Sequence, residues 1–359
     1  MNILYIPALK AKMGELQALS DLKAEDKKLI KPILEVPEIA WDYVDEELSK
    51  SVEKHLESVT KLISKNWSGQ PFFLDFLPNI EIALTADDQT SFEFFESLND
   101  AKSLKYVPVI GFDRNEVYLS KVIASAKAKK TGVCLRVQYD NFEDIYDEDA
   151  YTAFLKQHQL KPSDIDLIID LSSVCKETGR TVYLALRLIM SMIPNIKDWR
   201  SLTVIASSFP ENLRGMKGDS VEVLPRVEWV AWKTMFDKKG KLPRLPTFGD
   251  YSIAHPEFIE VDPRMINMSA AIRYSTETDW VVFKGKSVRM EGFQQFKQLS
   301  NKLISSEYFK GPDLSKGDAD IYKYATDPES GTGSATTWRK IGNNHHFALV
   351  LTQLQQLPK

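Results

Sequence analysis

The sequence predicts an α/β fold, a closed (βα)8 TIM-like barrel with an inserted β-hairpin after the eighth strand and a C-terminal loop and helix extension. Eight short apolar runs alternate with helical segments. Each segment between runs is long enough to return the chain parallel to the preceding strand. The eighth run, 245–252, turns polar at Asp250 and Tyr251, as expected where a barrel strand reaches the end that carries ligands. Such connections also build open doubly wound sheets, but eight successive units favour the barrel.

The first half of the chain shows the alternation of strands and helices. Pro37 ends the second strand because proline has no backbone N–H to donate. Apolar residues from Leu48 to Ile63 recur at helical spacing, which predicts an amphipathic helix over 43–67 that ends before Gly69. The predicted strands of this half are 3–8, 30–36, 72–76 and 106–112, and the predicted helices are 14–28, 43–67, 91–102 and 114–130.

The second half continues the same order. Near-continuous apolar character at 165–171 is what a strand covered on both faces requires. The predicted strands here are 132–138, 165–171, 202–208 and 245–252, and the predicted helices are a short one after the acidic segment 140–149, then 173–193 and 221–236.

The pattern changes after residue 252. Residues 270–275 and 280–284 alternate as β-strands do, which predicts a hairpin that caps the mouth of the barrel. A helix over 291–306, a Gly- and Asp-rich loop over 311–333 and a final helix over 344–356 follow. The predicted division is a barrel domain at 1–310, which includes the hairpin 270–285, and a C-terminal loop and helix at 311–359.

Composition narrows the class of protein. A formal net charge of -4, from 46 basic and 50 acidic residues, gives no overall electrostatic reason to bind nucleic acid. Cys134 and Cys175 both adjoin apolar runs, so we expect buried free thiols rather than a disulfide. The sequence lacks a secretory signal pattern and a spanning apolar stretch. We therefore expect a soluble cytoplasmic protein that is not bound to a membrane.

Polar residues follow most of the predicted strands, and the carboxyl ends of barrel strands converge on one mouth. This set is Lys10, Lys12, Glu35, Asp75, Asp113, Arg136, Gln138, Asp170, Ser207, Ser208, Asp250 and Tyr251. The catalytic candidates are four carboxylates, which could hold a divalent cation or divide into general acid and base: Glu35, Asp75, Asp170 and Asp250. The alternative is a structural network of salt bridges across the barrel end.

The candidates for ligand binding include cations suited to a phosphate or carboxylate. They are Lys10, Lys12, Arg136, Tyr251, Arg273, Tyr274, His345 and His346. The two histidines are adjacent, and no third metal-ligand residue is near them in sequence, so a cap of the last helix competes with a role at the mouth. Ser207 and Ser208 lack a nucleophile elbow, and no glycine motif matches a P-loop or dinucleotide fingerprint. The sequence therefore identifies no cofactor, and a divalent cation is one possibility.

Several short stretches follow one another along nearly the whole chain: 7–12 (PALKAK), 14–19 (GELQAL), 33–37 (ILEVP), 249–251 (GDY), 272–274 (IRY), 280–285 (WVVFKG), and Trp338 with His345 and His346. Together, in this order and spacing, they resemble the phage "beta protein" family. The resemblance implies a protein carried by phages, satellites, prophages or bacterial islands, often beside antiphage genes. It implies no particular reaction.

Two functions follow as hypotheses. In the first, the protein belongs to an antiphage defence cassette and its mouth binds or processes a small anionic ligand, such as a nucleotide or phosphorylated metabolite. As an enzyme it would be a hydrolase or resemble a phosphodiesterase. In the second, it is a non-enzymatic partner, antidote or sensor that binds another protein of its cassette through the hairpin or the C-terminal tail.

Overall fold

The eight predicted strands form a closed parallel barrel in a computed structural model. The structure describes residues 3–100, 102–139, 146–257 and 268–358. The barrel strands are β1 (Tyr5–Lys10), β2 (Ile33–Val36), β3 (Phe72–Phe76), β4 (Tyr106–Ile110), β5 (Val133–Gln138), β6 (Ile165–Ser173), β7 (Ser201–Ser207) and β8 (Thr247–Asp250). The predicted fold class is therefore confirmed.

The barrel closes because β1 pairs with both β2 and β8. Ala8 lies opposite Ile33 on one side, and Tyr5 lies opposite Phe248 on the other. Alternate residues of the strands point inward, as the pleat requires. A small apolar cluster fills the lumen, and polar side chains lie above it. The members of the apolar cluster are Ile6, Ala8, Ile33, Phe73, Val109, Cys134, Ile168, Ile205 and Tyr251.

Helices surround the barrel and bury their apolar faces against the outer side of the strands. Five of them start at side-chain caps, among them Thr90, which forms a capping box with Glu93, and Asn115, which accepts from the first turn of its helix. The helices up to β8 are Met13–Ser20, Ala24–Lys27, Val52–Asn66, Pro78–Glu81, Ser91–Asn99, Glu116–Lys129, Glu148–Gln157, Gly179–Met192 and Val227–Asp237, with 3-10 turns at Pro162–Asp164 and Lys239–Lys241.

An accessory unit follows the barrel. The predicted hairpin is present as Ser269–Ser275 and Asp279–Ser287, and strand Val221–Pro225 extends it to a three-stranded antiparallel sheet. Its helices are Val288–Glu291, Gln295–Ile304, Lys316–Thr326 and Ala335–Gln355. One face of the sheet and these helices share an apolar core, which spans the boundary predicted at residue 310. That boundary remains a prediction.

Several predicted helix boundaries before β8 are wrong. The helix predicted over 14–28 is divided into Met13–Ser20 and Ala24–Lys27, and the one predicted over 173–193 starts at Gly179. Residues 43–51 precede the helix predicted over 43–67, and a small hairpin of Trp41–Asp42 with Glu47–Leu48 stands before its true start at Val52. Residues 221–225 form a strand because Val-Glu-Val-Leu alternates and Pro225 disfavours a helix through it.

Two predictions in the C-terminal region are also wrong. Helix Lys316–Thr326 occupies the middle of the predicted loop 311–333, and Ser315 caps it by accepting from the Asp318 N–H. The last helix starts at Ala335 instead of 344, with Ser334 as its cap. Cys134 is a buried free thiol as predicted, whereas the Cys175 thiol is free but exposed.

Gly249 marks a point in β8 where the barrel has no room for a side chain. A Cβ there would collide with the Ile205 side chain and the Ile6 carbonyl. We expect Gly249→Ala to lower the free energy of unfolding by about 1–3 kcal/mol, the usual cost of overpacking. Urea denaturation measures this, with Gly240→Ala as the control because no atom lies within 4 Å of that Cβ. Equal stability of both variants would contradict the prediction.

Candidate functional site

Arg136, which points inward from β5, lies at the centre of the polar end of the barrel. Its Nε donates to Asp170 Oδ2 (2.9 Å), and its Nη1 donates to Glu35 Oε1 (2.8 Å) and Asp75 Oδ2 (2.5 Å). Its Nη2 donates to the Tyr251 hydroxyl (2.6 Å), which itself donates to Asp170 Oδ2 (2.6 Å). One guanidinium therefore binds carboxylates from three strands. We call this group, together with its two further cations, the mouth network: Lys10, Glu35, Asp75, Arg114, Arg136, Asp170 and Tyr251.

Strand register explains why these side chains meet. Lys10 is opposite Glu35 in the β1–β2 pair, and Glu35 is opposite Asp75 in the β2–β3 pair. Residues at one level of a barrel that share inward parity form a layer. The Lys10 ammonium contacts Glu35 Oε2 at 2.6 Å, and its side chain is 19% exposed, whereas the other six members are nearly inaccessible.

Arg114 and Glu81 belong to this region but were not predicted. Arg114 Nη2 donates to Asp75 Oδ1 (2.7 Å) and its Nη1 donates to Glu81 Oε2 (3.0 Å). Asp113, the residue predicted after β4, is exposed, whereas Arg114 is buried. Two adjacent charged residues follow the end of β4, and the sequence does not indicate which of the two points inward.

The charges in the mouth network are fixed by their neighbours. Burial alone would raise the pKa of Glu35, but the cations of Lys10 and Arg136 outweigh it and lower the pKa to about 2. For Asp170, burial prevails over Arg136 and raises the pKa. Glu35 therefore stays ionised at neutral pH and holds Lys10 in place.

Asp250 does not join the mouth network, contrary to the expectation that all four catalytic candidates converge. It precedes Tyr251, and successive strand residues point to opposite faces, so Asp250 points outward. Its Oδ1 accepts from the Tyr5 hydroxyl (2.5 Å) and the Ser252 N–H (2.8 Å), and its Oδ2 lies 2.8 Å from His346 Nε2. Of the four predicted carboxylates, the mouth unites Glu35, Asp75 and Asp170.

His346 links Asp250 to the accessory sheet. Its Nδ1 lies 3.0 Å from Ser275 Oγ, and its ring stacks on Trp280 at 4.8 Å. Burial lowers the pKa of His346 despite Asp250, so the neutral ring donates from Nε2 to Asp250 and accepts from Ser275. This serine, histidine and aspartate are 0–1% exposed. The chain joins the two units and leaves no access for a substrate.

His345 also lies within the last helix and does not cap it. Its Nε2 contacts the Ser275 carbonyl (2.8 Å) and its Nδ1 contacts Asp318 Oδ2 (3.0 Å). Both partners accept, so the geometry fits an imidazolium ion paired with the Asp318 carboxylate. Tyr274 stacks on this ring at 3.7 Å and donates to Asp318 Oδ1 (2.8 Å). His345 and Tyr274 thus lie in the accessory core, apart from the mouth network.

A buried ion pair lies at the junction of barrel and accessory sheet. Arg226 lies between the rings of Trp229 and Trp280, at 5.4 Å from each, and donates to the Thr276 carbonyl (2.9 Å). Its Nε is 3.9 Å from Glu228 Oε1, and neither atom has a hydrogen-bond partner among the described residues. Burial raises the pKa of Glu228 to about 7 against the effect of Arg226. This pair was not predicted, because it lies at a helix start after an accessory strand and not at the end of a barrel strand.

The remaining predicted residues lie around the ends of β7, β8 and β1. Arg273 donates to the Ile253 carbonyl (2.8 Å) and lies over the Phe209 ring at 4.8 Å. Lys12 is exposed directly before helix Met13–Ser20. The hydroxyls of Ser207 and Ser208 donate to backbone carbonyls.

The described residues contain neither a preformed metal site nor a membrane-spanning helix. Within 3–100, 102–139, 146–257 and 268–358, no group of three or more His, Cys, Asp or Glu is arranged to hold a metal ion. The mouth carboxylates instead bind guanidinium and ammonium groups, so they do not fit a divalent cation as they stand. In the same ranges, no helix combines the length and apolarity needed to cross a membrane.

The fold and the mouth network define a (βα)8 barrel protein with an ionic network at the carboxyl ends of its strands. The family model described as "Beta protein" matches residues 5–352, and the chain belongs to this family. Membership fits a phage-associated protein.

Two further comparisons add little about activity. No curated protein matches the chain. Among solved structures, the chain is similar to the YdjI aldolase from Escherichia coli K12, with 9% identity, a TM-score of 0.38, and coverage of 98% of this chain and 91% of that chain. A similarity at this level supports no conclusion about reaction or substrate.

Proposed function

We propose that this protein serves the phage, prophage or defence island that carries it by binding a small anionic ligand, a nucleotide or phosphorylated metabolite, at the barrel mouth. The observation that carries the proposal is the charge of Arg273, which forms no ion pair with the described residues and lies beside the ends of β7 and β8. Lys10 of the mouth network is the second cation, on the neighbouring strand β1.

Within the part of the chain that the structure describes, the partly buried guanidinium of Arg273 has no paired counter-charge. It donates to a carbonyl and lies over an aromatic ring, and no carboxylate of the described residues forms an ion pair with it. Burial, followed by the charge of Arg339, lowers the pKa of Arg273 to about 9. An anion bound there would offset this cost. In (βα)8 barrels, phosphate groups commonly bind at the loops after the seventh and eighth strands.

The mouth network favours binding over proton transfer. Glu35, Asp75 and Asp170 are each held by at least one guanidinium or ammonium group at 2.5–2.9 Å. A general base needs a free lone pair directed at the substrate, and these carboxylates direct theirs at Arg136, Arg114 and Lys10. Their role in this proposal is to hold Lys10 and to form a rigid floor.

Arg273→Gln is expected to weaken anion binding roughly tenfold or more, because a charge-assisted hydrogen bond is worth about 1.5–3 kcal/mol. Isothermal titration calorimetry with inorganic phosphate, pyrophosphate and a panel of nucleotides measures this. Arg180→Gln, on an exposed helix position, is the matched control. If none of these anions binds the wild-type protein, or if both variants bind equally, the proposal fails.

A second function, binding of another protein of the cassette, is favoured by one observation. Two surfaces were predicted for this role, the hairpin 270–285 and the C-terminal tail. The hairpin is packed in the core of the accessory unit, and helix Ala335–Gln355 of the tail is buried over most of its length. Strand Val221–Pro225, however, is an edge strand of the accessory sheet, and no described residue pairs with its outer side. Partner binding is therefore proposed through this edge.

A further inference from the structure

Strand Val221–Pro225 presents backbone groups to solvent in a known order. On its inner side, the Lys284 N–H donates to the Ser220 carbonyl (2.9 Å) and the Arg226 N–H donates to the Thr278 carbonyl (2.7 Å). Bonded and non-bonded pairs alternate along an antiparallel ladder. The backbones of Glu222 and Leu224 therefore face the central strand, and the N–H and C=O groups of Val221 and Val223 face outward.

The side chains of this edge are apolar and uncovered. Val221 and Val223 are 45% and 48% exposed. They lie opposite Phe283 and Val281 in register, and those two residues are buried under the accessory helices. The edge strand thus continues an apolar face beyond the helices that cover it. Open edges are usually protected by lysine, proline or a bulge, and here Pro225 stands at the end of the strand, leaving both valines available.

The charge pattern distinguishes between possible occupants. A second copy paired symmetrically about Glu222 would place two glutamates directly opposite each other, which is unfavourable. Symmetric pairing about Val223 would place Pro225, which has no N–H, opposite Val221. Glu222 forms no ion pair with any residue that the structure describes, and its side chain is partly exposed. A strand with a basic residue on that face would complement it.

We propose that this edge binds an extended segment of a partner protein as a fourth strand of the accessory sheet. The segment carries apolar side chains towards Val221 and Val223 and a lysine or arginine on the face of Glu222. The main-chain bonds supply affinity and the alternating side chains supply specificity. This inference rests on the partner-binding function and is independent of anion binding at the mouth.

The test uses a displayed library of random octapeptides selected on the full-length protein. Enriched peptides are expected to alternate apolar and basic residues. Their affinity is expected to fall roughly tenfold or more in Val223→Pro, which removes an outward N–H and spares the inner ladder. Val223→Thr keeps the N–H and the branched shape and is the matched control, with binding within roughly threefold of wild type.

Hydrogen exchange provides a second readout that does not depend on the stability of the proline variant. Bound peptide is expected to slow exchange of the Val221 and Val223 amides in the wild-type protein. Peptides that bind without protecting these amides would overturn the edge inference and leave partner binding through another surface. A library that yields no enriched binder would count against both.

Discussion

Replacing Arg136 with methionine is expected to lower the free energy of unfolding by about 3–5 kcal/mol, the usual result of removing one partner of a buried ion pair. Arg136 is 4% exposed and binds Glu35, Asp75 and Asp170. Without it, three carboxylates around the lumen repel one another and lose hydrogen bonds that no water can replace inside the barrel. Urea denaturation at neutral pH measures the change.

Two variants control for this loss. Arg136→Lys keeps the charge but cannot reproduce the planar fork, so we expect an intermediate loss. Arg180→Met removes an exposed arginine, and its effect is expected to stay within about 0.5 kcal/mol. If Arg136→Met were as stable as Arg180→Met, the mouth network would contribute nothing to stability, and the rigid floor assumed for ligand binding would be unsupported.

Glu228 is expected to make the protein less stable as pH rises through neutrality. Its pKa is about 7 in the folded protein and 4.5 as an ordinary glutamate. Between these values the folded state binds more protons than the unfolded state, so the free energy of unfolding falls with increasing pH. The contribution of this residue amounts to about 3 kcal/mol, lost between pH 4.5 and about pH 7.

The measurement compares wild type with Glu228→Gln in urea denaturation across this pH range. Glutamine keeps the shape and can still accept from the Ser208 N–H, but it does not titrate. The difference between the two proteins isolates Glu228 from other groups, among them His346, whose lowered pKa works in the opposite direction. Parallel pH profiles would show that Glu228 does not titrate in this range.

The barrel was predictable because most of its strands are largely apolar runs, and a helical segment follows each of them in the same order. The accessory unit was less predictable. Strand Val221–Pro225 is too short to outweigh the helical residues that follow it. Helix Ala335–Gln355 is buried over most of its length although it contains Asn343 and Asn344, so it lacks the polar face by which surface helices are recognised.

The candidate site was predictable to the extent that strand ends and parity decide it. Glu35, Asp75 and Asp170 share inward parity with Ile33, Phe73 and Ile168, and the structure brings them together around Arg136. Neighbouring residues cannot both face the lumen, so the sequence 250–251 allowed either Asp250 or Tyr251 but not both. Which of them points inward depends on how β8 pairs with β1 and β7. These strands are distant in sequence, so the residues around 250 do not determine the pairing.

The last helix has a consequence for biosynthesis. The Asn344 side chain donates to the carbonyl of Ala18, 326 positions earlier in the chain, and the helix packs along Met13–Ser20. During translation, the early helix can pack on Val52–Asn66, but the part of its surface that the last helix covers stays exposed until residue 355 has been added. Nascent chains of this protein should therefore expose that apolar surface to chaperones even after all eight barrel strands, the last of which ends at Asp250, have been translated.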